Sequence, residues 1–270
     1  MKQEYISVKG GIPLKVAASD FDGTLFIENQ ICPENVEGVR QWRAAGNKFG
    51  VVTGRDYGML VPQLEYFGIG YDFVICNNGA IIFDEKGKVL YQAEIPEQAL
   101  YVVATHPCVA DSLHVAFSQA ESSCIYRERE GSWITREAKQ WNFLLKMIEN
   151  DEIHGLRRVH QIALGFANLD GAAEAARQIN LLFGDTVYAC QNRGSVDITP
   201  IGIDKSKGIE KLIELKAWQT AEVYVIGDEI NDLPMIHKFD GYAVESAREV
   251  IKREAKRSFA SVGSMLQTNL

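Results

Sequence analysis

No run of apolar residues in the chain approaches the roughly 18–20 that a membrane span requires. The opening Met1-Lys2-Gln3-Glu4-Tyr5 has no apolar segment of the kind that directs secretion. Cysteine is scarce and unpatterned: Cys32, Cys76, Cys108, Cys124 and Cys190 are widely scattered and include no Cys-x-x-Cys pair. This argues against a disulfide scaffold or a thiolate metal site, and predicts reduced thiols packed as small hydrophobes in a cytoplasmic protein. His106, His114, His154 and His237 show no metal-ligand spacing. Positive charge is also short, with 28 Lys and Arg against 36 Asp and Glu and a net charge of −8. Such a chain repels nucleic acid and anionic lipid over most of its surface, so neither is expected as a partner. An anionic ligand would need a metal ion or a few well-placed cations.

What is present is a globular composition, 46% hydrophobic and 24% charged over 270 residues, enough for two domains. Neither repeats nor low-complexity tracts interrupt it. Leu14 to Ser19 is a short apolar run that ends on Asp20. Pro33 to Ala45 predicts a helix, with Pro in its first turn, Val36, Val39 and Trp42 at helical spacing, and Gly46 as a stop. Phe49–Val52, ending on Thr53-Gly54-Arg55, and Phe73–Cys76 read as buried strands. Alternating strands and helices with short turns predict right-handed crossovers and a parallel sheet, an α/β fold of Rossmann-like, doubly wound type.

From about Ile81 the pattern turns to hairpins, with Ile81–Phe83 and Lys88–Tyr91 flanking Asp84-Glu85-Lys86-Gly87. Strands are expected over 113–117, 125–127, 161–166, 187–190 and 196–199, and helices over 138–149 and 172–183. The parallel pattern resumes with a helix over 207–216, a strand over 223–226 and a helix over 231–238. The expected organisation is a core of residues 1–83 and 200–270, with residues 1–13 a frayed extension, interrupted by an α+β insert of residues 84–199.

Ligands of open parallel sheets bind beyond the carboxyl ends of the strands. Three such ends carry reactive groups: Asp20 and Asp22, Thr53, and Asp228 with Asp232. Two carboxylates two residues apart suit a nucleophile and a proton donor, and Gly23 allows a sharp turn, although Asp-Gly alone is equally plain turn chemistry. A carboxylate at Asp228 could complete an oxygen-only site with Asp20 of the kind Mg²⁺ favours, whereas Asn231 or Asp232 could equally cap the next helix. Thr53-Gly54 and Lys207-Gly208 offer donors to a phosphate, or else an ordinary turn and a solvated lysine.

In this order, Asp20-x-Asp22-Gly23-Thr24, Thr53-Gly54-Arg55, Lys207-Gly208 and Gly227-Asp228-x-x-Asn231-Asp232 resemble the motifs of the haloacid dehalogenase superfamily. Cys76-Asn77-Asn78-Gly79-Ala80, followed by a hairpin and a large insert, resembles its Cof-type phosphatase subgroup with a type IIB cap. The resemblance implies a Mg²⁺-dependent phosphatase of small phosphomonoesters, such as a sugar phosphate or nucleotide-like cofactor. A phosphomutase or a non-catalytic phosphometabolite sensor are the alternatives, and a monomer or small homo-oligomer is expected. It further implies Asp20 as nucleophile and metal ligand, Asp22 as acid, base and backbone ligand, and Asp228 as the remaining metal carboxylate. Thr53, Gly54, Lys207 and Asn231 would bind the phosphoryl group, and Asp232 would orient Lys207. Asp204-Lys205-Ser206-Lys207-Gly208 offers two lysines, of which Lys207 directly precedes Gly as the family lysine does. Glu245 adds negative charge where relatives have a Gly-Asn-Ala segment. Arg127, Arg129, Arg136, Arg157, Arg158 and His160 are candidates for recognising a second anionic group, and Trp133 and Trp141 for stacking or core packing.

Overall fold

The computed structural model describes residues 13–120 and 122–270, so nearly all of the expected amino-terminal extension lies outside the described residues. Two sheets organise the chain. The larger holds β1 (Lys15–Ser19), β2 (Lys48–Val52), β3 (Phe73–Cys76), β4 (Ile81–Asp84) and β5 (Val89–Gln92). The smaller holds β6 (His114–Ser118), β7 (Ser123–Glu128), β8 (Leu145–Met147), β9 (Gln161–Gly165), β10 (Val187–Asn192) and β11 (Ser195–Pro200). The chain then returns to the larger sheet with β12 (Glu222–Gly227), β13 (Tyr242–Val244) and β14 (Ser258–Phe259). Helices α1 (Pro33–Ala44), α2 (Tyr57–Tyr66), α6 (Lys205–Leu215), α7 (Leu233–Phe239), α8 (Glu249–Glu254) and α9 (Val262–Thr268) belong to the first unit. Helices α3 (Glu97–Thr105), α4 (Ile134–Gln140) and α5 (Leu169–Phe183) belong to the second.

The larger sheet runs β14-β13-β12-β1-β2-β3-β4-β5, and the strands from β14 to β3 pair in parallel. Its central strands are buried on both faces, which is why they read as unbroken apolar runs. Ala17, Val51 and Val74 enter the core on one face, and Val16, Ala18, Val52 and Ile75 the core on the other. Strand order reverses at β1, which has β12 on one side and β2 on the other. A crevice therefore opens at its carboxyl end.

β5 pairs with β4, Ile81 opposite Gln92, so both strands of the hairpin stay in the larger sheet. The insert is thus entered after Gln92 and not at residue 84. In the smaller sheet, of order β10-β11-β9-β6-β7-β8, alternate residues serve opposite purposes. Val115, Phe117, Ile162, Leu164, Val196 and Ile198 join one core with α3 and α5 residues. The intervening residues turn towards the crevice. The helix expected over 138–149 is instead α4 followed by an edge strand. Asn142 takes a left-handed φ of 51° and ends the helical path. Leu145–Met147 then pairs in parallel with Ser123–Ile125.

Candidate active site

Each reactive residue is delivered by the end of a parallel strand. β1 gives way to Asp20, whose N–H donates to the Ile226 carbonyl at 3.0 Å. β2 gives way to Thr53, whose N–H donates to the Ile75 carbonyl at 2.9 Å. β12 gives way to Asp228. Gly23, at φ +90°, turns the chain tightly above Asp228; a Cβ there would stand 2.4 Å from Asp228 Oδ2, so a side chain would displace that carboxylate. Thr24 Oγ1 donates to Asp228 Oδ1 at 2.7 Å from the same turn.

Asp232 fixes the loop after β12. Its Oδ2 accepts the backbone N–H groups of Asp228 and Glu229 at 2.9 and 3.0 Å, and its Oδ1 accepts from Lys205 Nζ at 2.6 Å. Lys205 Nζ also donates to Asp20 Oδ1 at 2.6 Å. The lysine that enters the site is thus Lys205, and the assignment to Lys207 is corrected. Asp204 caps α6, its Oδ1 accepting Lys207 N–H at 2.9 Å, which makes Lys205 the first helical residue. At about 100° per residue, Lys205 shares a face with buried Ile209 and Leu212. Lys207 points the other way, is exposed, and pairs with Glu210 at 2.9 Å.

Burial, reinforced by the neighbouring Asp232 and Asp228 carboxylates, pushes the Asp20 carboxyl well above its ordinary range despite the Lys205 ammonium. Burial and Asp232 likewise raise Asp228. Burial works against the Lys205 ammonium, but Asp20 and Asp232 outweigh it and hold its pKa above the ordinary lysine value. Carboxylates of Asp20, Asp228 and Asp232 offer oxygens within 4.8 Å of one another. Asp232 spends both oxygens on Lys205 and the loop, which leaves Asp20 and Asp228 as the pair that would ligate, with Arg193 giving up Asp228 Oδ2 to the ion. Two buried, hard oxygen donors with no His or Cys beside them fit a divalent cation of the Mg²⁺ kind.

Asp20, Asp22, Thr53, Gly54 and Asn231 line one cavity of about 410 Å³ between the two sheets. Thr53 is buried and its Oγ1 accepts Arg55 N–H at 3.1 Å. Asn231 Nδ2 donates to Asn78 Oδ1 at 3.1 Å. The sequence pattern of the haloacid dehalogenase-like hydrolase family matches residues 17–263, which carry every one of these groups. This chain belongs to the haloacid dehalogenase-like hydrolases.

Within that family the chain is similar to named phosphatases. It is 22% identical over 248 residues to the Escherichia coli (strain K12) 5-amino-6-(5-phospho-D-ribitylamino)uracil phosphatase YbjI, covering 90% of this chain and 89% of the relative. It is also 22% identical over 265 residues to the pyridoxal phosphate phosphatase YbhA of the same organism, covering 89% of this chain and 91% of that one. Its fold matches that of a solved subclass IIB sugar phosphatase with a TM-score of 0.79 at 21% identity, over 94% of this chain and 98% of the other.

In this hydrolase the cap, built on the smaller sheet, contributes residues that sequence reasoning did not single out. Arg55 grips Asp22 with Nε at 2.7 Å and Nη2 at 2.8 Å, and extends Nη1 to Glu137 of α4 at 2.5 Å. Arg193, in the two-residue turn between β10 and β11, reaches across to Asp228 Oδ2 at 2.9 Å. Asn78 Nδ2 donates to Gln161 Oε1 and Asp197 Oδ2, both at 3.0 Å, and Gln161 Nε2 donates to the Gly54 carbonyl at 2.9 Å. The expected second-anion candidates are elsewhere. Arg127 donates to the Val109 carbonyl, Arg157 pairs with Glu97, and none of the six lines the cavity. Trp133 lines it; Trp141 packs edge-on against Tyr66. Glu245 is exposed and is not among the lining residues.

Asp56 caps α2 by accepting Met59 N–H at 3.0 Å and holds the cap through Ser123 Oγ at 2.7 Å. Burial raises its carboxyl to about 6. Between the unfolded carboxylate value and about 6 the folded state keeps a proton that the unfolded chain has released, so this group's contribution to stability is lost as pH rises through that window. Asn keeps the cap by accepting Met59 N–H on its amide oxygen, and its amide N–H donates to Ser123 Oγ in place of accepting from it, without the charge. Asp56→Asn is therefore expected to raise stability by about 1–3 kcal/mol above pH 6, with the gain vanishing near pH 4, as read from thermal unfolding across pH.

Proposed function

We propose that this enzyme hydrolyses small phosphomonoesters with Mg²⁺, through a phosphoaspartate on Asp20. The reading rests above all on one juxtaposition: Asp20, delivered by β1, lies against Lys205 and within ligating distance of Asp228 at the carboxyl edge of the sheet. Phosphoryl transfer asks for little beyond positioning and charge neutralisation, and this cluster supplies both.

Asp20 and Asp228 would hold the ion, with the Asp22 backbone carbonyl as the third protein ligand. Bound there, Mg²⁺ would neutralise phosphoryl charge and keep the Asp20 carboxylate ionised against the burial that otherwise favours its neutral form. Lys205, Thr53, the Gly54 backbone and Asn231 bind the phosphoryl oxygens. An Asp20 oxygen forms a bond to phosphorus as the bond to the leaving alcohol breaks, and Asp22 gives that alcohol a proton. Asp22 then takes a proton from a water molecule, whose oxygen displaces Asp20 from phosphorus and releases phosphate. Arg55 holds Asp22 as the carboxylate, the form that takes the proton from water, and this pair must open for Asp22 to act as the acid; the cap excludes other water from the cavity. The two Escherichia coli relatives bear the names of different phosphate substrates, both small metabolites, and a cavity of about 410 Å³ suits that size class.

The test is phosphate release from a panel of phosphomonoesters with Mg²⁺ and with EDTA. Release that EDTA abolishes and added Mg²⁺ restores is expected. Asp228→Asn should weaken Mg²⁺ binding by about tenfold or more in calorimetry. Undiminished release in EDTA, or isomerised substrate without free phosphate, would overturn the reading.

A further inference from the structure

Arg193 opens the two-residue turn that joins β10 to β11, where Asn192 pairs with Ser195. Its φ of 53° is left-handed, a conformation that suits Gly or Asn and that a long side chain adopts at a cost in strain. The turn is nevertheless firmly built into the cap. Gln191 Nε2 donates to the carbonyls of Arg193 and of Leu169 at the start of α5, both at 3.0 Å. Phe166 N–H donates to the Gly194 carbonyl at 2.7 Å. A strained backbone held in this way points to a purpose for the side chain it presents.

That side chain crosses from the cap to the core. Thr24 Oγ1 donates to Asp228 Oδ1 at 2.7 Å and Arg193 Nη2 to Oδ2 at 2.9 Å, so the guanidinium takes the oxygen that an ion would need. The place is confined, since a Cβ on Gly23 would collide with both Oδ2 and Nη2. A guanidinium and a divalent cation on one carboxylate oxygen repel each other in a partly desolvated site, which makes them alternatives. Glu229 Oε2, 3.9 Å from Arg193 Nε, offers the displaced guanidinium a second acceptor, while Glu229 Oε1 is held by Arg248 at 2.7 Å. Of the contacts between cap and core described above, this one alone falls on a carboxylate that would ligate the ion. Asp56 with Ser123, Gln161 with Gly54 and Asn78 with Asp197 do not.

We propose that Arg193 is a metal-sensitive tie between cap and core: ion binding at Asp228 releases the β10–β11 turn, and the tie in turn weakens the site's hold on the ion. The proposal rests on the metal site of the phosphatase reading above. Linkage makes the two effects equal, because the factor by which Arg193 weakens Mg²⁺ binding is the factor by which Mg²⁺ weakens the tie. Arg193 lines the cavity, so a loaded enzyme loosens the cavity's own wall when substrate has to enter.

Calorimetric titration with Mg²⁺ alone and amide hydrogen exchange test the coupling without turnover. Arg193→Gln should bind Mg²⁺ more tightly than wild type by about threefold or more. Arg193 is exposed and Gln keeps much of its stem, so folding is not at stake. Arg248→Gln removes the same charge from the neighbouring Glu229 and should tighten binding far less, because its guanidinium does not touch Asp228. In wild type, saturating Mg²⁺ should speed exchange across residues 192–195; in Arg193→Gln exchange there should not respond to the ion. Unchanged or weaker Mg²⁺ binding by Arg193→Gln, an equal gain in Arg248→Gln, or wild-type exchange indifferent to Mg²⁺ would overturn the proposal. Asp228→Asn decides the reading beneath it. If that variant binds Mg²⁺ as wild type does, the metal site falls and the tie with it; if it loses the ion while Arg193→Gln matches wild type, only the tie falls.

Discussion

Asp20→Asn is expected to remove Mg²⁺-supported phosphate release almost entirely, by about 10⁴-fold or more, because the loss of a nucleophile forfeits the covalent route altogether. The variant should stay folded. Lys205 keeps its 2.6 Å bond to Asp232, and the change removes one of three crowded carboxylates, the one that burial and then its neighbours hold above its ordinary pKa. Its thermal midpoint should therefore lie within about 5 °C of wild type. Acid-quenched wild-type enzyme should carry one phosphoryl group on the peptide containing Asp20, and the variant none. Full activity in a folded Asp20→Asn protein, or phosphate trapped on another residue, would remove Asp20 from the role.

The second large effect separates two lysines. Lys205→Met leaves Asp20 and Asp232 buried without their shared cation. Stripping one partner from a buried ionic cluster costs about 3–5 kcal/mol, and the phosphoryl group would lose a donor as well. Both thermal stability and turnover should fall sharply. Lys207→Met removes only an exposed pair with Glu210 on the outer face of α6, and both properties should stay at the wild-type level within error. Inactivity of a stable Lys207→Met protein beside an active Lys205→Met protein would reverse the assignment. The comparison is clean because the two residues are neighbours on one helix.

The helical phase that separates these lysines is written in the chain. Ile209 and Leu212 stand four and seven residues after Lys205, on one helical stripe, while Lys207 falls in with Glu210, Lys211 and Glu214. Reading the site lysine from its neighbour Gly208 passed over that stripe. A motif match weighs adjacency in sequence, whereas a helix places residues by angle.

Much else was local and therefore legible. Apolar runs of strand length define β1, β2, β3 and β12, the helical crossovers between them make them parallel and bury both faces, and the residues that follow them reach the crevice at the sheet's carboxyl edge. Asp20, Asp22, Thr53, Asp228 and the loop held by Asp232 owe their places to that logic. The alternation within β6, β9 and β11 was equally local, but a period of two does not say which face a helix will cover. Only packing against α3 and α5 turned Asp197 and Gln161 towards the site and left Arg127 and Arg157 outside it. The meeting of Arg55 with Glu137, of Arg193 with Asp228, and of Asn78 with Asp197 joins positions from 35 to 119 residues apart. No local propensity encodes such contacts. They exist because the cap sheet sits over the core, and they decide both which cations are already paired and what charge a substrate will meet.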